Sequence, residues 1–218
     1  MEYQDYLQHW NYFCSLAARL EGTKDYVYHG FSGNGPGNAK MIHGEVYSDI
    51  FKQIIILAAS EFEILAKALC KEKGERAKNI KDISRILLQH FPELPKTEIM
   101  TTFCTCIPLE DWKYDGEKVN GLEWWNAYNA LKHNEVRSYQ KATLANAYLS
   151  VASLYILNLY YMYVTFGSLK IPSILPPAYF KSKYTVEAFA TNGGLLPDWG
   201  NKSPAEVLKE KYPSYYTT

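Results

Sequence analysis

The segment that decides the interpretation of this chain is residues 124–137, WWNAYNALKHNEVR. If the segment is a helix, four of its polar side chains lie three or four residues apart on one side: Asn126, Asn129, His133 and Arg137. Asn120 at the cap position and Glu123 three residues later predict that this helix covers residues 121–138. We call the four side chains the polar stripe, and they are the candidate functional site.

The composition favours one globular domain. The chain has 218 residues, of which 47% are hydrophobic and 15% aromatic, so a single core can bury most of the apolar surface. Its 23 basic and 23 acidic residues balance, which excludes the strong overall positive charge of many proteins that bind nucleic acid or anionic membranes. Any contact with RNA would therefore be local.

The cysteines and the N-terminus predict a cytoplasmic protein without a metal or cofactor. No C-x-x-C pair occurs, and the one close pair, Cys104 and Cys106, is spaced too tightly for a usual zinc site. We therefore expect free thiols in a reducing compartment. The first five residues are polar and acidic, whereas a secretory signal begins with basic residues and an apolar run.

Apolar periodicity predicts four more elements of a helical bundle. The first helix covers residues 5–21, and the second covers residues 47–73, with an apolar face broad enough for a central position. A third begins at the capping residue Asn79 and ends near residue 90. The long helix 142–166 follows the central segment after a short break, so the two should pack as an antiparallel hairpin.

The long helix also raises a membrane alternative. Residues 142–167 contain no charged side chain and are long enough to span a bilayer. However, polar residues such as Asn146, Ser153 and Asn158 lie inside the segment, where lipid would penalise them. A central helix surrounded by protein is therefore the preferred interpretation. The predicted fold class is an all-α bundle of four or five main helices, without membrane contact.

The remaining segments are predicted to be irregular or extended. The glycine-rich stretch 29–38 lacks both a preceding strand and the Lys-Ser/Thr ending of a phosphate-binding loop, which favours a surface loop. Residues 97–108 are predicted to be extended. We place a boundary after residue 168, because the Pro- and Gly-rich residues 169–218 predict a tail that wraps the bundle and ends in a short helix.

The chain resembles the HEPN superfamily of all-α proteins over about residues 1–167. The residues that carry the resemblance are Trp124-Trp125, Tyr128-Asn129, Lys132-His133-Asn134 and Arg137, followed by Ala142-Thr143-Leu144 and the long aromatic helix, with Tyr47-Ser48, Ser60-Glu61-Phe62-Glu63 and Lys67 in the N-terminal half. The resemblance implies an HEPN-like helical bundle that pairs as a homodimer. Exposed aromatic residues such as Trp124 also predict that dimer.

The resemblance implies roles for individual residues. Active members are metal-independent endoribonucleases, whose signature is an Arg, often followed by Asn, with four to six residues before a His. Asn129 and His133 match that Asn and His, whereas Tyr128 stands where the Arg would be. His133 would move the proton of a ribose 2′-hydroxyl, Asn129 would position the phosphate, and Lys132 or Arg137 would supply the missing positive charge.

Two functions follow from the resemblance. The first is an RNA-acting protein, either an endoribonuclease or a degenerate relative in stress or phage defence, with an antitoxin-like protein as a partner. The second is a non-catalytic module that binds a partner or a nucleotide through the same cleft. Tyr128 favours the second, because a phenol brings no positive charge. Asn126 and Lys132 support the site in both cases.

Glu61 falls within the apolar face of the second predicted helix. An ionised carboxylate is costly there, so it either reaches solvent by its own length or finds a donor. We predict a hydrogen bond of about 3 Å between Glu61 and a side chain from Tyr128 to Arg137. Such a bond would orient the polar stripe from behind.

Overall fold

The computed structural model describes residues 3–29, 31–32, 40–97, 99–100, 105–133 and 137–166. Within these ranges five α-helices form the protein, as the all-α prediction requires. They are α1 (Tyr3–Gly22), α2 (Asp49–Glu72), α3 (Ile80–His90), α4 (Glu123–Lys132) and α5 (Leu144–Phe166).

The helices are joined by short 3-10 turns and by three antiparallel pairs of two-residue strands. The pairs are β1 (Phe31–Ser32) with β2 (Lys40–Met41), β3 (Ile99–Met100) with β4 (Thr105–Cys106), and β5 (Lys113–Tyr114) with β6 (Val119–Asn120). The 3-10 turns cover Thr23–Asp25, Leu94–Lys96 and Ser138–Lys141. The pair β3–β4 agrees with the extended conformation predicted for residues 97–108.

Helix α5 is the axis of the bundle. It packs mainly against α2, and it also contacts α1 and α4. Its polar residues Ser150, Ser153 and Asn158 are buried, whereas Asn146 near its start is half-buried. Asn158 donates from Nδ2 to the Leu154 carbonyl at 3.0 Å. Within the described ranges, no helix combines the length and the apolar character that crossing a bilayer requires.

Aromatic side chains join α1 to this axis. Tyr6 stacks on Tyr161 with ring centroids 6.1 Å apart, and Phe13 stacks on Tyr155 at 5.2 Å. The periodic apolar residues of α1 are all fully buried, which confirms its predicted face: Tyr6, Trp10, Phe13, Ala17 and Leu20. The helix ends at Gly22, one residue beyond the predicted end at residue 21.

Local capping explains where α2 and α3 begin. The Ser48 hydroxyl accepts a hydrogen bond from the Phe51 N–H at 3.2 Å and opens α2. The Asn79 side chain accepts from the N–H groups of Lys81 and Asp82, as predicted for α3. Asp82 does not bond back to Asn79, because its carboxylate accepts from the Lys78 N–H at 2.9 Å instead.

Helix α4 is shorter than predicted at both ends. Its cap position is Leu122 and not Asn120, which lies in β6. Between them Gly121 adopts a φ of 81°, and a Cβ added there would lie 1.7 Å from the Asp111 carbonyl oxygen, so the chain turns where only glycine fits. At the other end the helix stops at Lys132, and the prediction that it continues to residue 138 is wrong.

Several predictions lie outside the described residues. They concern the tail 169–218 and its predicted terminal helix, most of the glycine-rich stretch, and Cys104. The other three cysteines, Cys14, Cys70 and Cys106, are buried free thiols, as expected. Burial raises the pKa of Cys14 to about 11 and that of Cys70 to about 12, which keeps both thiols protonated and unreactive.

Candidate functional site

The exposed face of α4 carries the first half of the polar stripe. Asn126 is exposed and Asn129 is half-buried on this rigid helix. His133 is the exposed residue that closes the helix, and its backbone N–H bonds to the Asn129 carbonyl at 3.1 Å. Arg137 lies beyond the helix, exposed, with a left-handed φ of 64°. The stripe is therefore continuous only from Asn126 to His133, and Arg137 belongs to the following turn.

Tyr128, which stands at the position of the signature arginine, points to the opposite side. It is buried, and its ring lies 5.0 Å from that of Trp125. The Lys132 Nζ donates to the Tyr128 hydroxyl at 3.0 Å and lies 5.2 Å from the ring centroid. This hydrogen bond raises the pKa of Lys132. The positive charge of Lys132, the residue before His133, therefore lies against Tyr128.

Trp124 is not an exposed aromatic, so that prediction is wrong. It is almost completely buried, with its ring edge-on to Phe62 of α2 at 4.9 Å and to Trp125 at 5.8 Å. Phe62 also contacts the ring of Trp112 at 6.0 Å, so one aromatic cluster joins α2, α4 and the loop before β5. Trp124 therefore gives no reason to expect a second copy at this helix.

The structure gives Glu61 a partner on α1 instead of the one predicted within residues 128–137, of which 134–136 lie outside the described ranges. Glu61 is buried, and its carboxylate accepts a hydrogen bond from the Nδ1 of His9 on α1. Neither residues 128–133 nor Arg137 bonds to it in the described structure. The reason is helical geometry, because each residue turns about 100° around the axis. Glu61 faces α1, whereas the next residue, Phe62, faces Trp124 of α4.

The sequence analysis did not single out His9. A signal was nonetheless present, because His9 lies between the buried Tyr6 and Phe13 at helical spacing and therefore borders the apolar face of α1. With 20% of its side chain exposed, His9 lies where it can both reach Glu61 and remain in contact with solvent. Only the packing of α1 on α2 brings the two together.

A groove beside α4 adds residues that the sequence analysis missed. Its volume is about 290 Å³, and it lies between the start of α3, the β5–β6 pair and the exposed side of α4. Its lining combines two lysines and three carboxamides with an apolar floor: Lys81, Lys118, Asn120, Asn126 and Asn129, above Ile80, Val119, Leu122 and Trp125. No lining residue is acidic. Asn126 and Asn129 therefore belong to both the groove and the stripe.

These residue types can bind an anionic ligand that has a planar polar part. A carboxamide both donates and accepts hydrogen bonds, so it can recognise the edge of a base, while lysines attract phosphate. The volume is at the lower end of the range for small-molecule sites, roughly 300 to 1,000 Å³. Among the residues that the structure describes, no group of three or more His, Cys, Asp or Glu side chains could hold a metal ion.

Comparison with protein-family models finds no match to this chain, and comparisons with curated proteins and with solved structures find none either.

Proposed function

We propose that this chain is an HEPN-like protein that binds RNA, or a nucleotide derived from it, through the exposed face of α4 and the adjoining groove, without cutting it. The observation that carries the proposal is the sharing of Asn126 and Asn129 between the groove and the polar stripe. Positive charge lies at both ends of this surface, with Lys81 and Lys118 at the groove and Lys132 at the end of α4.

Two features support binding without cleavage. The signature arginine is replaced by Tyr128, whose hydroxyl is buried against the aromatic cluster and already bonded to Lys132. The imidazole of His133 makes no hydrogen bond to any described residue, whereas a general base is usually held by a partner that fixes its orientation. The arginine of the signature and an orienting partner for His133 are thus both missing from the described residues, which supports binding without cleavage.

Binding is tested with a fluorescently labelled single-stranded RNA of about twelve nucleotides, followed by anisotropy at low salt. The double variant Lys81→Ala/Lys118→Ala should weaken binding about tenfold or more, and the wild-type affinity should fall steeply with added salt because phosphate contacts release counterions. Lys96→Ala is the control, because its ammonium pairs with Glu93 away from the groove. If neither RNA nor a mononucleotide binds to the wild type, the proposal fails.

A second candidate function, a metal-independent endoribonuclease, is favoured by the position of Lys132. Its ammonium, next in sequence to His133 and held on Tyr128, could neutralise phosphorane charge in place of arginine. Labelled RNA incubated in EDTA distinguishes the two functions. Cleavage that is lost in both His133→Ala and Lys132→Ala would establish the enzyme, whereas binding without any product supports the binding module.

The partners inferred from the resemblance are part of the same proposal. A homodimer and an antitoxin-like protein partner now rest on that resemblance alone, because Trp124 is buried in the bundle. A cytoplasmic location fits the buried free thiols Cys14, Cys70 and Cys106. Sedimentation at micromolar concentration, with and without RNA, tests the dimer directly.

A further inference from the structure

Two exposed tyrosines contact each other at the end of the bundle where α2 and α5 begin. Tyr47 is 48% exposed and Tyr139 is 40% exposed. Their ring centroids are 5.4 Å apart with the planes almost perpendicular, at 86°. Of the exposed tyrosines in the described ranges, which also include Tyr12, Tyr26 and Tyr28, only these two contact each other.

Backbone contacts fix this pair without any ligand. Tyr47 forms an antiparallel bridge with Thr143, and the Leu144 N–H donates to the Val46 carbonyl at 2.8 Å. The segment before α2 is therefore clamped to the start of α5. Tyr139 lies in the 3-10 turn Ser138–Lys141, where desolvation and the negative charge of Asp49 raise the pKa of its hydroxyl. Both rings are therefore held in place while large parts of them stay in water.

Two basic residues flank Tyr139 in the sequence. Arg137 and Lys141 stand on either side of Tyr139 in the same short stretch, and both are exposed. The left-handed backbone of Arg137 is uncommon for a residue other than glycine, and such conformations occur where a turn must direct the chain.

We propose that Tyr47 and Tyr139 form a stacking platform for an unpaired nucleobase, with Arg137 and Lys141 contacting the phosphates on either side. Aromatic rings bind single-stranded nucleic acid in this way because every base has a stacking face, while nearby cations follow the backbone. This inference rests on the proposed function and specifies its ligand, namely a single strand that extends from the groove past the end of α4. A mononucleotide would occupy the groove without reaching the platform.

The experiment uses the full chain and a single-stranded oligoribonucleotide of about twelve nucleotides that carries 2-aminopurine, whose fluorescence is quenched on stacking. Tyr139→Ala and Tyr47→Ala should each weaken binding about tenfold, since stacking of one base contributes that much. The quenching of 2-aminopurine fluorescence should also be weaker in these two variants. Tyr139→Phe removes the hydroxyl but keeps the ring, so it should bind within about twofold of the wild type.

Tyr26→Ala is the matched control, because Tyr26 is 84% exposed and takes no part in the platform. Thermal unfolding of each variant verifies that the fold is intact. If an alanine variant does not fold, the wild type still decides the test, because binding of the oligonucleotide without any quenching of 2-aminopurine would overturn the platform. If wild type binds and both alanine variants bind equally well, the platform is wrong and the proposed function stands. If wild type does not bind single-stranded RNA, the platform fails together with the proposed function.

Discussion

Glu61 and His9 show how single residues can place a carboxylate inside an apolar face. The Nδ1 of His9 bonds to the carboxylate across the contact between α1 and α2, so the charge is taken from water without being left unpaired. The bond also fixes which imidazole nitrogen faces away from Glu61. The pair therefore ties α1 to α2 within the contact between the two helices.

Replacing His9 should show how much the stability of the fold depends on its bond to Glu61. In His9→Ala the carboxylate of Glu61 stays buried without its donor, so we expect the free energy of unfolding to fall by about 2 kcal/mol or more. Glu61→Gln should cost less, because its amide oxygen still accepts from His9. Urea unfolding measures both.

The control for this prediction is Glu63→Ala. Glu63 lies on the same helix and pairs with Lys67 four residues later in a partly exposed position, so its loss should cost no more than about 0.5 kcal/mol. If His9→Ala is as mild as this control, the buried pair contributes nothing particular to the fold.

At the scale of elements, the short hairpin β5–β6 sets both the start of α4 and one wall of the groove. It contacts α3 and leads through Gly121 into α4. Because Lys118, Asn120 and Asn126 belong to these consecutive elements, the position of Gly121 determines how the groove is assembled.

Substitutions at two glycines in this hairpin region distinguish the cost of backbone strain from the cost of a steric clash. Both have a left-handed φ, 99° for Gly116 and 81° for Gly121. Gly116→Ala should therefore cost about 1 kcal/mol from backbone strain alone, since no atom lies within 4 Å of the added Cβ. Gly121→Ala should cost at least about 2 kcal/mol more, because its Cβ would collide with the Asp111 backbone. Chemical denaturation checks the difference, and equal losses would refute the close approach.

The sequence predicted those elements whose determinants are local. The cap at Asn79 and the apolar period of α1 depend on neighbours a few residues apart, and both agree with the structure. The end of α4 depends on the turn through Arg137, and the burial of Trp124 depends on Phe62, about sixty residues away in the chain. Periodicity contains no information on such contacts, so the aromatic cluster, the groove and the partner of Glu61 could not be predicted.

At the scale of the whole molecule, one buried histidine links the stability of the fold to pH. The Thr23 hydroxyl donates to the Leu20 carbonyl at 2.7 Å, so it must accept from the His29 Nε2 at 2.8 Å, which therefore carries a proton. Burial, and to a lesser extent Lys24, lowers the pKa of His29 from 6.5 to about 4.

The sign of the effect follows from this shift. Below pH 6.5 His29 binds a proton in the unfolded chain, whereas in the folded protein it stays neutral down to about pH 4. The free energy of unfolding should therefore decrease as the pH falls from 6.5 to 4, and His29 should not change it above pH 6.5. Urea midpoints at pH 7, 6 and 5 measure the slope. His29→Gln keeps a donor for Thr23 but does not titrate, so its urea midpoint should depend less steeply on pH. The same pH dependence in the wild type and the variant would contradict the prediction.

The stacking of α1 on α5 also governs when the chain can fold during its synthesis. The Tyr6 hydroxyl bonds to the Asn158 carbonyl, a contact between residues separated by 152 positions. At about 5 to 20 residues per second, a ribosome needs roughly 8 to 30 seconds to make the intervening chain. Throughout this interval the aromatic face of α1 lacks its partner and is open to chaperones or to other nascent chains. The order of translation thus delays the covering of α1 until α5 has been made.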